Sequence, residues 1–356
     1  MENKDLVEDL FGNMQIDIPY YEDRTRISNS NIGWFLQKGP AYLHKMLTDP
    51  PPEEKNAVLE RGTMIHEYIL QPEEFQKNYV VWDKSRPSSV QQEKFCQALA
   101  FSTEIEPNRA ILSAFKDAYS TAGRSEDKML SEGLKIASTL KDYIDFLKAN
   151  DGRTMISPWD VKMLEKIKQN IQSHKLASKI IETPVLETSK PFLDEPEPGT
   201  IIHAAYHEFH INWEFRGVQC KSLLDGLTLD FENKKAIIYD LKTTQKLWHF
   251  EDSIKQYDYC RQLMYYRFAV EWYLKHECGE KTPESEWSFE FYIIGIDTTG
   301  TYEIRVFSLS ESDVNIDHKG WLICNTLDKI AWHQATGKWD HSREYYEGDG
   351  SEKLKL

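Results

Sequence analysis

The chain has 356 residues, 40% hydrophobic and 12% aromatic, enough to fill one large core or two modest ones and too apolar for a disordered polymer. The formal charge of -15 speaks against a protein that coats nucleic acid through a general basic surface, yet it leaves room for an acidic site beside a local basic groove. No run of about 18 apolar residues occurs, so no membrane span is expected.

The first residues, "MENKDLVEDLFGNMQ", lack the apolar stretch of an export signal, and a cytoplasmic protein is expected. Cys96, Cys220, Cys260, Cys278 and Cys324 are scattered and form no C-x-x-C pair. That spacing argues against a zinc ribbon or an iron–sulfur cluster and for free thiols in a reducing compartment.

Residues 1–24 read as an acidic, loosely ordered arm. The stretch 28–47 predicts a helix, with Ser28 or Ser30 as cap and Ile32, Phe35 and Leu36 at helical spacing. Pro50, Pro51 and Pro52 break the chain before a second helix over 57–70, stopped near Pro72. A short strand at 78–82 precedes a mostly helical stretch, 90–182, with breaks around Gly123, Gly152 and Pro158. Near Pro184 the pattern changes to strands, at 185–190, 204–215, 218–231 and 235–244. The brief turn Glu232-Asn233-Lys234 makes the last two an antiparallel hairpin. An amphipathic helix over about 252–276, strands at 288–297 and 302–309, a helix over 311–336 and a polar tail from 341 complete the chain. This order predicts one α/β (α+β) domain over 25–340, helical over 25–182 and sheet-rich over 183–340.

The chemistry gathers around "KAIIYDLKTT". Alternation along a strand puts Asp240 and Lys242 on one face at the end of an apolar run. Asp225, in "SLLDGLTL", sits on the neighbouring strand, where an unpaired carboxylate is costly. Two carboxylates with a lysine beside them suit a hard divalent cation bound through oxygen. The plainer reading has strand-end aspartates capping turns and Lys242 solvated. Tyr259, Gln262 and Tyr266 share one helical stripe, which could face a phosphate backbone or simply the core. His66 follows Gly62 by one turn in "GTMIHEYIL", and a lone histidine there is more often a satisfied core residue than a ligand. "HAAYHEFH" offers His203, His207 and His210 to zinc, but His207 and His210 face opposite sides of a strand.

Four segments together resemble the PD-(D/E)XK nuclease superfamily and, within it, the RecE-like exonucleases. They are "SNSNIGWFLQKGPAYL", "RGTMIHEYILQPEEFQKNYVV", "HEFHINWEFRGVQCKSLLDGL" and "YDLKTT" followed by "YDYCRQLMYYRFAV". The resemblance implies a restriction-endonuclease-like core, a central mixed sheet flanked by helices. It implies that His66, Asp225, Asp240 and the Leu241 carbonyl hold magnesium, with manganese as a substitute, and that Lys242 is catalytic beside Gln262 and Tyr266. Glu208 or Glu187 would add an acidic group, and Ser28, Ser30, Tyr259, Gln262 and Tyr266 would meet DNA. The "FLDEPEPGTIIHAAY" stretch departs from the pattern. The implied activity is 5′-to-3′ digestion of linear double-stranded DNA from its ends, partnered by a single-strand annealing protein and carried out by a ring of identical chains. The alternatives are a non-catalytic DNA-binding or assembly protein on the same fold, and a Cas-type or helicase-linked nuclease.

Overall fold

A computed structural model of the chain describes residues 18–52, 56–149, 151–181, 203–314 and 316–351. The expected strand at 185–190, Glu187 and residues 1–17 of the acidic arm lie outside the described residues. Two compact units form, one from the described parts of Met1–Gln71 and Ile167–Leu356, the other from Pro72–Lys166.

In chain order, α1 (Asn29–Lys38) begins at Ser28. The Ser28 Oγ accepts the Asn31 amide at 3.4 Å, and Asn31 Oδ1 accepts the Ser28 amide at 2.8 Å, a reciprocal capping box. The helix expected over 28–47 is two helices, because Gly39 adopts φ 84° and Pro40 opens α2 (Pro40–Thr48) without an amide to donate. Then α3 (Ala57–Leu70) carries His66.

The second unit contains α4 (Pro72–Asn78), β1 (Tyr79–Val81), α5 (Val90–Ala100), α6 (Pro107–Ala118), α7 (Glu126–Thr139), α8 (Lys141–Ala149) and β2 (Thr154–Ile156). Phe95, Cys96, Ile111, Phe115, Met129, Leu140 and Ile144 form its own apolar core. β1 and β2 pair in parallel, Val80 opposite Met155.

The chain continues through α9 (Pro158–Ser173) and α10 (Lys175–Ile181) to the sheet of the first unit. That sheet is built from β3 (His203–Phe215), β4 (Val218–Asp230) and β5 (Lys235–Thr244). After β5 come α11 (Phe250–Tyr257), α12 (Tyr259–His276) and α13 (Pro283–Glu286). β6 (Ser288–Asp297), β7 (Ile304–Leu309), α14 (Glu311–Val314), α15 (Ile316–Thr336) and α16 (Arg343–Glu347) follow.

The five strands lie in sequence order, antiparallel except for the parallel pair β5 and β6. This mixed sheet flanked by helices is the architecture expected from the strand and helix pattern. Arg216 and Gly217, both at positive φ, close the β3–β4 hairpin in a two-residue turn whose twist suits paired strands. Gly226 on β4 lets the buried Tyr239 ring of β5 lie across it, for a methyl group there would stand 1.8 Å from the ring. The core joins Leu224, Leu227, Ile238, Phe291 and Ile293 of the sheet to Leu263, Met264, Ala269 and Val270 of α12.

The helix expected over 252–276 breaks at Asp258, which takes φ 52°. Its carbonyl accepts the Arg261 and Gln262 amides, so α12 starts afresh from that residue. Its carboxylate meets Lys319 at 2.6 Å and Arg261 at 3.4 Å, which holds the left-handed turn in place.

Candidate functional site

The site begins with register. Along β3 and β4 the pairs His207–Gly226 and Phe209–Leu224 leave Glu208 opposite Asp225. Along β4 and β5 the last bridging pair is Gly226–Tyr239, and the next step sets Asp225 beside Asp240. Three carboxylates thus stand in one row across three neighbouring strands, on the face shared by Lys242. Like charges directly opposite one another destabilise a sheet. Glu208 also holds φ 48° within a strand, a backbone conformation that a glutamate adopts only at a cost.

α3 brings His66 to this row. Its Nδ1 lies 3.6 Å from Asp225 Oδ2 and 3.9 Å from Glu208 Oε1. The approach depends on Gly62, where an added methyl group would sit 3.3 Å from the Thr243 hydroxyl of β5. His66, Glu208 and Asp225 offer ligand atoms within 4.8 Å of one another, close enough to hold a metal ion.

Asp240 is 2% exposed and is gripped from two sides. Gln262 Nε2 donates to its Oδ1 at 2.9 Å and also to the Tyr266 hydroxyl at 2.8 Å. Lys242 Nζ stands 2.5 Å from its Oδ2 in a close ion pair. The Leu241 amide donates to Asp225 Oδ2 at 2.6 Å and fixes the second carboxylate. Lys242 Nζ lies 5.1 Å from the centre of the Tyr259 ring.

Burial, and then the charges of Asp225, Asp240 and Glu67, push the Glu208 carboxyl up to about 8. Burial likewise lifts Asp240 to about 6, against the pull of Lys242. For Lys242 burial works toward the neutral amine, but Asp240 and Asp225 outweigh it and hold the ammonium well above its ordinary range.

The stripe Tyr259, Gln262 and Tyr266 therefore meets the site along its length, through the lysine, the carboxylate and the glutamine respectively. Ser28 is buried and its hydroxyl is committed to the α1 cap, while Ser30 is exposed. His207 turns both ring nitrogens to backbone carbonyls, Leu70 at 3.2 Å and Ile181 at 3.1 Å. His203 lies 3.6 Å from Asp230, and among the described residues the three histidines of "HAAYHEFH" make no metal-binding group. Two residues near the row carry no signal in the sequence pattern. Glu67 adds negative charge beside Glu208, and Tyr21 is brought close from the N-terminal segment.

This is an acidic centre with one histidine and one lysine, set on a mixed sheet, with a donor set suited to a hard divalent cation. No protein-family model matches the chain, and no curated protein matches it. Among solved structures it is similar to a chain from Eubacterium rectale named as a candidate exonuclease. The two share 14% identity at a TM-score of 0.43, over 94% of this chain and 90% of that one. A likeness at that level carries no statement about activity. No helix among the described residues is long and apolar enough to cross a membrane.

Proposed function

We propose that the chain is a metal-dependent deoxyribonuclease that degrades linear double-stranded DNA from its ends. The observation that carries this reading is the row Glu208, Asp225 and Asp240, met by His66 on one side and Lys242 on the other. Such a row costs stability, since two facing carboxylates repel and a buried one loses its hydration. A cation that takes their oxygens repays both losses, and the oxygen and nitrogen donors of Glu208, Asp225 and His66 stand close enough together to share one.

Glu208, Asp225 and His66 would hold the cation, magnesium or manganese, with Asp240 and the Leu241 carbonyl completing the set. When bound, it supplies Lewis-acid polarisation of a phosphodiester and activation of water. The protein's own groups do the rest. Lys242 places a fixed positive charge where negative charge develops on the phosphate. Gln262, braced by Tyr266, keeps Asp240 turned toward Lys242. The Leu241 amide keeps Asp225 turned toward His66.

The resemblance to RecE-like enzymes supports 5′-to-3′ polarity, an annealing-protein partner and a ring of identical chains. A ring also suits the charge, because -15 repels a duplex unless basic groups line a channel. Candidates for such a lining are Arg24 and Arg26, with Lys162 and Lys166 in one unit and Lys168, Lys175 and Lys179 in the other. The test is digestion of end-labelled linear duplex beside closed circular DNA across a magnesium titration. Metal-dependent loss of the linear form alone is expected. Equal attack on both forms would refute end-dependence, and no attack on either would refute the nuclease.

A further inference from the structure

Tyr21 is 83% exposed, and a great deal of buried structure holds it where it is. It stands on a turn in which the Glu22 and Asp23 amides both donate to the Pro19 carbonyl, at 2.9 and 3.0 Å. Behind the turn, Lys221 is 6% exposed and donates its ammonium to the carbonyls of Tyr20 and Asp23. Asp23, 3% exposed, accepts from the Thr25 amide at 2.8 Å, the Thr25 hydroxyl at 2.6 Å and Arg26 Nη1 at 2.8 Å. Ile27 then pairs with β4 beside Cys220. Two buried charges are a poor source of stability. Here they fix one short turn whose tip faces solvent.

The neighbouring ring shows where the turn lies. Tyr20 packs edge-on against His210, with 5.3 Å between ring centres. His210 is two residues beyond Glu208 on β3, the strand that carries that end of the carboxylate row. The turn accordingly sits at the edge of the carboxylate row. Consistently, the Tyr21 hydroxyl is held above the ordinary tyrosine range, by desolvation first and then by the charges of Glu208, Asp225 and Glu67.

We propose that the Tyr21 ring is a stacking subsite for the nucleobase adjoining the phosphate to be cut, an inference that rests on the nuclease reading above. A nucleobase is the ligand that such a ring serves at such a place. Every base has a π-face, so stacking grips DNA without reading its sequence, as digestion from an end demands. A carboxylate row repels the phosphate backbone, and a neutral aromatic contact beside it holds the strand without adding to that repulsion.

The experiment uses the full chain, with calcium in place of magnesium to measure binding apart from turnover. Fluorescence anisotropy compares duplexes ending in an ordinary nucleotide with duplexes ending in an abasic one. Tyr21→Ala should weaken binding of the ordinary end by about tenfold, the scale of one lost base–aromatic stack. Tyr21→Phe and Tyr21→Trp should bind as wild type does, and on the abasic end Tyr21→Ala and wild type should bind alike. Unchanged binding and digestion by Tyr21→Ala would overturn the subsite, as would an equal loss on ordinary and abasic ends. Wild-type protein that cuts DNA while Tyr21→Ala behaves normally refutes only the subsite. Wild-type protein that neither binds nor cuts linear duplex refutes the nuclease itself.

Discussion

Glu208→Gln should make the metal-free protein more stable at neutral and alkaline pH, because it removes one of two facing carboxylates. In the folded chain the Glu208 carboxyl rises from an ordinary 4.5 to about 8. Between those values the folded state holds a proton that the unfolded state has lost. Stability therefore falls as pH rises from about 4.5 through about 8. Asp240, lifted from 3.8 to about 6, adds a fall of the same sign at lower pH. At about 1.4 kcal/mol per pH unit the Glu208 span has a ceiling of about 5 kcal/mol. Burial comes before repulsion in that rise, and Asp225 and Asp240 share the repulsion, so roughly half of that should be visible on replacing Glu208. Thermal unfolding in chelator at pH 5 and pH 8 measures it. Wild type should lose several degrees of Tm between the two, about 2 °C per kcal/mol for a unit of this size, and Glu208→Gln should lose much less. Magnesium or manganese at pH 8 should restore wild type more than the variant. A wild-type Tm that is the same at both pH values, or an equal drop in the variant, would refute the reasoning.

Asp240→Asn should abolish cleavage while the circular dichroism spectrum stays that of a folded chain, with Tm lowered in part because Lys242 loses its buried partner. Cleavage at the wild-type rate would remove Asp240 from the chemistry. Lys242→Ala should lower turnover by a factor on the order of 10²–10³ with DNA affinity largely kept, and equal losses of both would make the lysine a simple phosphate anchor. Gly226→Ala should destabilise the first unit by at least about 2 kcal/mol, because the new methyl group enters the space of the buried Tyr239 ring; a denaturant midpoint equal to wild type would contradict that packing. Sedimentation of the intact chain should show a closed oligomer, and a strict monomer that still digests long duplexes without release would sink the ring.

The strands that carry the site were legible because each alternates with period two, and because Asp225, Asp240 and Lys242 interrupt otherwise apolar runs. Their meeting was partly legible too. A short turn joins β4 to β5, so carboxylates on the two strands had to come near one another. The place of Glu208 in the same row depends on the Arg216-Gly217 turn and on a constant register along all of β3, and a slip of one residue would turn Glu208 to the other face. The break at Asp258 was hidden, because its apolar spacing continues from α11 into α12. The ion pair to Lys319, far along the chain, and the one to Arg261 on the next turn help hold the left-handed residue. β2 was missed because three residues give no period, and its partner lies far away in the chain.

Tyr21 shows the same limit in reverse, since nothing in "PYYEDRTR" separates one tyrosine from the next. The fold separates them, packing a half-buried Tyr20 against His210 and leaving Tyr21 outside. Local sequence rules describe what a segment does for its own stability. The Glu208–Asp225–Asp240 row works against local stability through burial and repulsion, and Lys221 through lost hydration, whereas Asp23, despite its burial, is held as a carboxylate by Thr25 and Arg26. The row therefore points to something outside the chain, and the turn that Asp23 and Lys221 fix lies beside it.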